Sequence, residues 1–451
     1  MNNKKSKLNT FSQRPKYALW NLAIPVMLGM GMQTLYSITD MYFIGRLNND
    51  AMAAVAYNMP LFFIVLGLTM GLGTGVTSTI ANFIGLKKKK DADNSAGHAI
   101  ILGILISTTL TPITLMHGKT ILVLFGATNE ILQMSWIYLK LICLGLPFMV
   151  LSAFFRSILV GEGDTKLPML VAGSGTILNI ILNPIFIFTF NMGVSGAALA
   201  TTISQIIVFI IFIFFLVVKK RSYITFNLNS FNPSLVILKN IVNVGLPASM
   251  SMVIMALGQL IFNKILSSFS TEAVAAYQIG GRIDMLIFLP IMSIAYALTT
   301  LVGMFNGAKL YKQLNFIINY GLTISFLLTI SISIVVYISA PFLIKNFSND
   351  AYTIDTAITY LRMMTLIYPF VAIAMPCGRI LQGFGLGMPV LIITLIRVLL
   401  ISCPLAVFFV FIKNKSIEWI WYSMMISAIV SSIVAILWIA YIKKLHVNLS
   451  R

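Results

Sequence analysis

Negative charge is what this chain most lacks. Aspartate and glutamate together number 12 among 451 residues, against 31 lysines and arginines, and charged residues of both signs make up only 10% of the chain. A soluble particle of this length needs more polar surface than that, so a water-exposed globular enzyme is excluded. Of the 3 cysteines, Cys143, Cys377 and Cys403, each falls in an apolar stretch with no Cys-x-x-Cys pair. They read as small core residues, without a disulfide or a zinc site. The 3 histidines, His98, His117 and His446, are scattered, and no Ser/His/Asp grouping or acid pair has catalytic spacing. No Walker A pattern is present to cradle phosphates. The sequence therefore argues against an enzyme, against direct use of ATP and against an organic cofactor.

Apolar side chains are what the chain has in abundance, at 59%. Long apolar runs recur between short polar breaks, and about 20 such residues span a bilayer. The pattern predicts an all-α polytopic membrane protein with twelve transmembrane helices, over 17–44, 51–84, 96–118, 131–155, 168–190, 194–218, 239–268, 273–305, 314–343, 356–381, 388–412 and 417–442. The second and eighth are long for one crossing, and Pro60 and Pro290 are placed to kink or tilt them. The basic start followed by an apolar run is too long for a signal peptide and is expected to remain as the first helix.

The formal charge of +19 raises nucleic acid as a partner, but its distribution argues otherwise. Lys4, Lys5, Lys7, Arg14 and Lys16 precede the first span, Lys87 to Lys90 follow the second, and Arg156 and Lys166 lie near the fourth break. Lys219, Lys220, Arg221 and Lys239 flank the middle break, Lys309 and Lys312 the eighth, Arg379 the tenth, and Lys443, Lys444 and Arg451 the end. The alternate loops hold only Arg46, Lys119, Lys264, Lys345, Lys413 and Lys415. This alternation places both termini and the central loop in the cytoplasm of a plasma (inner) membrane protein. The partner is the lipid bilayer, with no nucleic acid, and a monomer is expected.

The chain is also written twice. From Pro25 and from Pro247 two stretches align at a constant offset of 222 without a gap, as far as Gly85 and Gly307, and Gly161-Glu162-Gly163 lands on Gly383-Phe384-Gly385. With six spans in each half, the repeats are parallel and face a central cleft. The expected divisions are an amino-terminal lobe over 1–218, a cytoplasmic linker over 219–238 and a carboxy-terminal lobe over 239–451. Gly71-Leu72-Gly73-Thr74-Gly75 is embedded in an apolar span and reads as helix packing.

Ten of the acids sit in or beside predicted loops; Asp40 and Asp284 do not. A carboxylate at mid-membrane costs about 2.5 to 3.5 kcal/mol on insertion scales, so it persists where it faces a polar interior. Gln33, Tyr36 and Asp40 lie at spacings of three and four, on one helical face. Asn179 and Asn183, one turn apart before Pro184, and Thr201, Thr202 and Gln205 supply matching oxygens. One carboxylate among neutral oxygens suits a proton carrier or a Na+ site equally well. Asp284 follows Arg282, which faces elsewhere on a helix; Arg397 is a candidate partner, and Gln259, Asn263 and Gln278 are further polar candidates in the second half.

These residues resemble the multidrug and toxic compound extrusion (MATE) transporters, especially their DinF-like branch. The resemblance is carried by Leu35-Tyr36-Ser37-Ile38-Thr39-Asp40 with Gly45, by Gly161-Glu162-Gly163-Asp164-Thr165-Lys166 with Pro168, by Leu178 to Pro184 and by Gly193 to Thr201. It implies two six-helix lobes around a cleft and export of bulky, often cationic organic compounds against inward flow of H+ or Na+. It also implies that Asp40 belongs to an amino-terminal-lobe cation site with Tyr36, Asn179 and Thr201 or Thr202 as neighbours, and that Pro25 lets the first helix bend. The chain departs from the branch at Asn183, where a second aspartate is often found, and at Val160, where an arginine is usual. The leading expectation is a cation-coupled multidrug antiporter working by alternating access. The alternative is a lipid or lipid-linked oligosaccharide flippase of the related superfamily, kept open by Arg282 and Arg397. A membrane assembly protein with no transport cycle is a third reading, and it predicts no polar central cavity.

Overall fold

The computed structural model describes residues 6–226 and 231–448. Lys4, Lys5 and Arg451 of the basic flanks lie outside the described residues. Among the described residues, twelve helices are long and apolar enough to cross a membrane: Pro15–Gly45, Asn49–Gly85, Lys89–Leu124, Glu130–Gly161, Lys166–Thr189, Val194–Val218, Leu235–Ser267, Thr271–Gly307, Tyr311–Lys345, Ala351–Gly383, Met388–Ile412 and Glu418–Lys444. Several run a turn or two past the expected edges, because their polar ends are good helix formers. The third begins in Lys89, Lys90 and Asp91 ahead of its apolar run, with the acid in the first turn where the helix dipole favours it.

The two long spans behave differently. The second is two helices, Asn49–Ala56 and Met59–Gly85, broken at Tyr57 and Asn58 with Pro60 in the first turn of the new helix. There a proline has no helical N–H to lose. The buried Asn58 amide bridges the break, donating to the Ala54 carbonyl at 2.8 Å and the Ser135 carbonyl at 3.1 Å. Pro290 instead lies inside an unbroken helix, Thr271–Gly307.

The internal repeat is visible in matched local geometry. Thr77 donates its hydroxyl to the Ser157 carbonyl at 2.9 Å, and 222 positions on, Thr299 donates to the Arg379 carbonyl at 3.1 Å. Gly163 and Gly385 share a left-handed backbone, with φ of +86° and +84°, as do Lys87 and Lys309, at +58° and +55°. A Cβ added at Gly161 would stand 3.0 Å from the Thr77 carbonyl oxygen, and one at Gly383 2.8 Å from that of Thr299. Each half thus clasps its second helix against its fourth through a hydroxyl and a bare glycine.

Past this point the register slips by one. A π-helical turn over Ile185–Thr189 has its counterpart at Phe408–Ile412, 223 positions on. An extra π segment at Ile396–Ser402, just before Pro404, has no partner at the matching positions among the described residues of the first half. A π turn is one inserted residue in an α-helix, which accounts for the added position.

Two compact units emerge: Ile24–Gly245 with Met1–Lys7, and Leu246–Arg451 with Leu8–Ala23. The changeover in the first span falls next to Pro25, inside the continuous helix Pro15–Gly45. In the second unit the start of that helix is held by Trp20, whose indole N–H donates to the Tyr320 hydroxyl at 3.2 Å.

Within the first unit the inter-lobe linker is strapped down by buried polar groups. Glu162, 5% exposed, accepts from the Ser222 hydroxyl at 2.5 Å and the Ile224 N–H at 3.0 Å. Asp93 accepts from the Thr225 N–H and hydroxyl at 3.0 and 2.7 Å. Asn94 and Asn232 exchange two bonds, and the Ser234 N–H donates to His98 Nε2 at 3.0 Å. That leaves the imidazole proton on Nδ1, facing the Asn94 carbonyl at 2.9 Å. The seventh span begins just beyond these contacts, at Leu235.

Two predictions follow from these contacts. Gly161→Ala and Gly383→Ala each force a carbonyl to yield and should cost about 1–3 kcal/mol, whereas Gly31→Ala, with nothing within 4 Å of the new Cβ, should not. Melting of the purified variants in detergent checks this, and a Gly383→Ala protein as stable as its parent would refute the clasp. Burial pushes the Glu162 carboxyl up to about 7 from an ordinary 4.5, with the Ser222 and Ile224 bonds opposing. The folded chain then holds this proton more tightly than the unfolded chain. The associated stability is full below about 4.5 and is lost as pH rises through about 7. At about 1.4 kcal/mol per pH unit the window holds roughly 3 kcal/mol. A Glu162→Gln variant should show a flatter melting-temperature profile across that window, and an unchanged slope would assign the dependence to another group.

Candidate functional site

The first span presents Tyr36 and Asp40 one turn apart, both half-buried, with Gln33 exposed. Asp40 Oδ1 accepts from the Asn183 amide at 3.2 Å, and the same amide donates to Asn179 Oδ1 at 2.9 Å. Asn179 in turn donates to Thr201 Oγ1 at 3.4 Å, and the Tyr36 hydroxyl reaches the same oxygen at 2.9 Å. Asn179 and Asn183 are wholly buried and Thr201 nearly so. The first, fifth and sixth spans are therefore joined by one polar chain running Asp40, Asn183, Asn179, Thr201, Tyr36.

Small residues let these helices meet. A Cβ at Gly173 would stand 2.7 Å from Met32 Sδ, one at Gly175 2.4 Å from Val208, and one at Gly196 2.7 Å from the Phe186 carbonyl carbon. The sixth span thus turns in against the π turn after Pro184, which places Thr201 beside Asn179. Thr202 and Gln205, expected to add oxygens here, face the fourth span instead. The Thr202 hydroxyl donates to the Leu141 carbonyl at 2.8 Å, and Gln205 Oε1 packs over Gly145.

Two acceptors in this cluster are underused. Among the described residues a single hydrogen bond serves the Asp40 carboxylate, and Asn183 Oδ1 is buried with no partner. A buried oxygen without a donor is costly, and it is able to accept a proton donor or ligate a hard cation.

Asp284 in the second unit has the opposite character. It is buried, Oδ2 accepts from the Tyr360 hydroxyl at 2.5 Å, and Oδ1 accepts from the Tyr368 hydroxyl. The partner is this pair of phenols and not Arg397, which forms no ion pair with Asp284. Aromatic rings wall the group in: Tyr360 packs edge-on to Trp421 at 4.8 Å and Phe288 edge-on to Tyr368 at 5.4 Å. Arg397 is half-buried within the π segment Ile396–Ser402. Arg282 and Gln259 are exposed, and Gln278 donates to Asn263 Oδ1 at 3.1 Å, linking the seventh and eighth spans.

Sequence reasoning passed over Tyr360 and Tyr368. Their eight-residue spacing brings both near one helical face, and Tyr360 falls 222 positions after Tyr138, which is also buried. The three cysteines are buried and unpaired. No group of three or more His, Cys, Asp or Glu able to hold a metal is found among the described residues.

The MatE family model matches residues 25–185 and again 247–408, two copies whose starts lie 222 apart. The chain belongs to this family, the MATE transporters. It is 31% identical over 404 residues to the "Probable multidrug resistance protein NorM" of Thermotoga maritima, covering 88% of this chain and 85% of that one. It is 28% identical over 361 residues to the "Multidrug export protein MepA" of Staphylococcus aureus, covering 79% and 78%. Among solved structures, an outward-facing multidrug resistance MATE transporter of the MOP superfamily superposes with a TM-score of 0.94 at 31% identity, over 99% of this chain and 100% of that one. A MOP superfamily transporter from Pyrococcus furiosus, described as having a binding pocket of reversed polarity and suggested to differ in function, gives 0.93 at 31% identity over 98% and 99%. As a MATE protein the chain is a multi-pass membrane transporter and not an enzyme.

Removing one phenol should leave the buried Asp284 carboxylate with one donor. Hydrogen bonds to charged groups contribute about 1.5–3 kcal/mol. Tyr368→Phe and Tyr360→Phe should each lower stability by about that much, read as a fall in the detergent melting temperature. The double variant should fall further than either, and a neutral Tyr368→Phe would remove the phenol pair as the reason Asp284 is tolerated.

Proposed function

We propose that this MATE protein is a cation-coupled antiporter that exports amphipathic, often cationic organic compounds by alternating access, with Asp40 as the coupling acid. The observation that carries the reading is the contrast between the two intramembrane carboxylates. Asp284 is enclosed and doubly bonded by tyrosines, whereas Asp40 has one amide donor and lies beside the unpartnered oxygen of Asn183. A group that must load and release an ion needs unfilled ligand capacity, and Asp40 has it.

In this cycle H+ or Na+ reaches Asp40 from outside. As a proton it neutralises the carboxylate and removes the need for the Asn183 donor. As Na+ it is held by hard oxygens drawn from Asp40, Asn183, Asn179, Thr201 and Tyr36. Either event rearranges the polar chain that joins the first, fifth and sixth spans, and Pro25 gives the first helix a place to bend. One charge moving down 100 mV releases about 2.3 kcal/mol, enough for roughly a fifty-fold gradient of a neutral substrate, whereas a monocation exchanged one for one is driven by the coupling ion's concentration gradient alone. With Asn183 in place of a second acid, the site carries one negative charge, and one coupling cation per cycle is the corresponding stoichiometry.

The same reading takes the two six-helix lobes as residues 1–218 and 239–451 about a central cleft. It takes both termini and the linker over 219–238 as cytoplasmic, on the charge alternation, in a monomer of the plasma membrane. Relatives named for multidrug resistance and multidrug export support small organic substrates.

The deciding experiment is ethidium efflux from vesicles carrying the protein, with H+ and Na+ gradients imposed separately. Gradient-driven efflux should fall at least tenfold, the equivalent of about 1.4 kcal/mol, in Asp40→Asn while inserted protein remains, and the effective gradient names the ion. Normal export by Asp40→Asn would end its coupling role. No efflux under either gradient by correctly inserted parent protein would favour the flippase and a lipid-linked substrate.

A further inference from the structure

The ninth and tenth spans of the second unit flank an open groove of about 440 Å³ whose walls are mostly apolar. Ser333, Ile334, Tyr337 and Ile338 line it from Tyr311–Lys345, and Leu366 and Pro369 from Ala351–Gly383. The ninth span packs mainly on the eighth and tenth, so this exposed strip lies on the flank of its unit. Its volume falls within the range of ligand clefts, about 300–1,000 Å³.

One end of the groove is cationic. Arg362 is exposed, and its guanidinium stacks over the Tyr337 ring with 5.2 Å to the centroid. Among the described residues no carboxylate forms an ion pair with it. Arginine inside a membrane span is expensive unless it meets an anion or reaches the interface. Its depth decides which anion is available. The tenth span has 33 residues, or about 50 Å of helix, which overhangs a hydrocarbon core of about 30 Å by about 10 Å at each end. Arg362 stands 11 residues after Ala351, about 16 Å along, within a side chain's reach of the phosphate layer. Tyr337 accompanies it at the level where amphipathic rings settle.

From that end the groove descends toward the membrane centre, as Tyr337 gives way to Ser333 and Arg362 to Pro369. The Ser333 hydroxyl in its wall is buried with no partner. The order of chemistry is thus a guanidinium at the interface and an apolar trough running inward from it.

We propose that this groove is a binding site for one anionic phospholipid, with Arg362 on the phosphate and an acyl chain along Ile334, Leu366 and Ile330. Charge complementarity selects the headgroup, and the direction of the trough selects a lipid over a free anion.

The test is native mass spectrometry of the intact protein released from nanodiscs holding equal phosphatidylglycerol and phosphatidylcholine. The parent should retain phosphatidylglycerol with about fivefold preference, the effect of one basic residue near an anionic headgroup. Arg362→Gln should bring the preference to near unity, and Ile334→Trp, which fills the trough, should lose the retained lipid of either kind. Equal retention of the two lipids by the parent would reduce the groove to ordinary lipid contact. Displacement of the lipid by glycerophosphate at equal concentration would show an anion site without a chain site. Either result overturns the proposal on the parent protein alone, as does an Arg362→Gln protein with undiminished preference.

Discussion

A charge inside lipid must be met by the protein, because the surrounding hydrocarbon offers nothing. Much of the interior arrangement follows from how this chain meets that demand twice. At Asp284 the answer is complete: two phenols donate to the two oxygens, and Tyr277, Phe288 and Trp421 seal the site from outside. At Asp40 the answer is left open, with a single amide donor and an adjacent oxygen that has none. The first arrangement stabilises a bundle; the second leaves a vacancy in its bonding that an ion is suited to fill. Unequal satisfaction, more than the presence of acid, distinguishes the site from the scaffold.

Most of the fold was legible because each signal had a large energy behind it. Twelve apolar runs and alternating basic loops are hard to disguise when a misplaced charge costs several kcal/mol. Asp40, Tyr36, Asn179, Asn183 and Thr201 were legible for the same reason, since polar residues at helical spacing inside apolar spans have few structural excuses. Tyr360 and Tyr368 escaped because tyrosine is common in membrane helices and its hydroxyl has no fixed destination until the helices pack. Glu162 escaped because a loop position reads as solvated. Here the loop is covered by the linker, and a group expected in water becomes a buried acceptor for Ser222 and Ile224. Thr202 shows the reverse error, where a neighbour of Thr201 in sequence turns to another helix altogether.

Prolines make the same point about context. Pro60 ends one helix and starts another, while Pro290 is carried inside a continuous one. At the start of a helix the missing N–H has no partner to lose, whereas inside a helix it leaves a carbonyl one turn back without its donor.

The two halves also separate what duplication preserves from what it releases. The threonine-to-carbonyl bond, the bare glycine beneath it and the left-handed turns recur at an offset of 222 with φ angles agreeing to within 3°. Those features set how a second helix lies against a fourth in each half. The chemistry does not recur: at the same offset Asp40 faces Phe262, Asp284 faces Phe62 and Glu162 faces Phe384. In each pair an acid in one half is an apolar ring in the other, so no buried acid has a counterpart at the matching position. The clasp then acts as a common chassis, and one extra residue, taken up as the π turn before Pro404, shifts the register of the second half without disturbing it. Of the two intramembrane carboxylates, the doubly bonded one ties the helices of its half together, and the singly bonded one leaves acceptor capacity unused in the other.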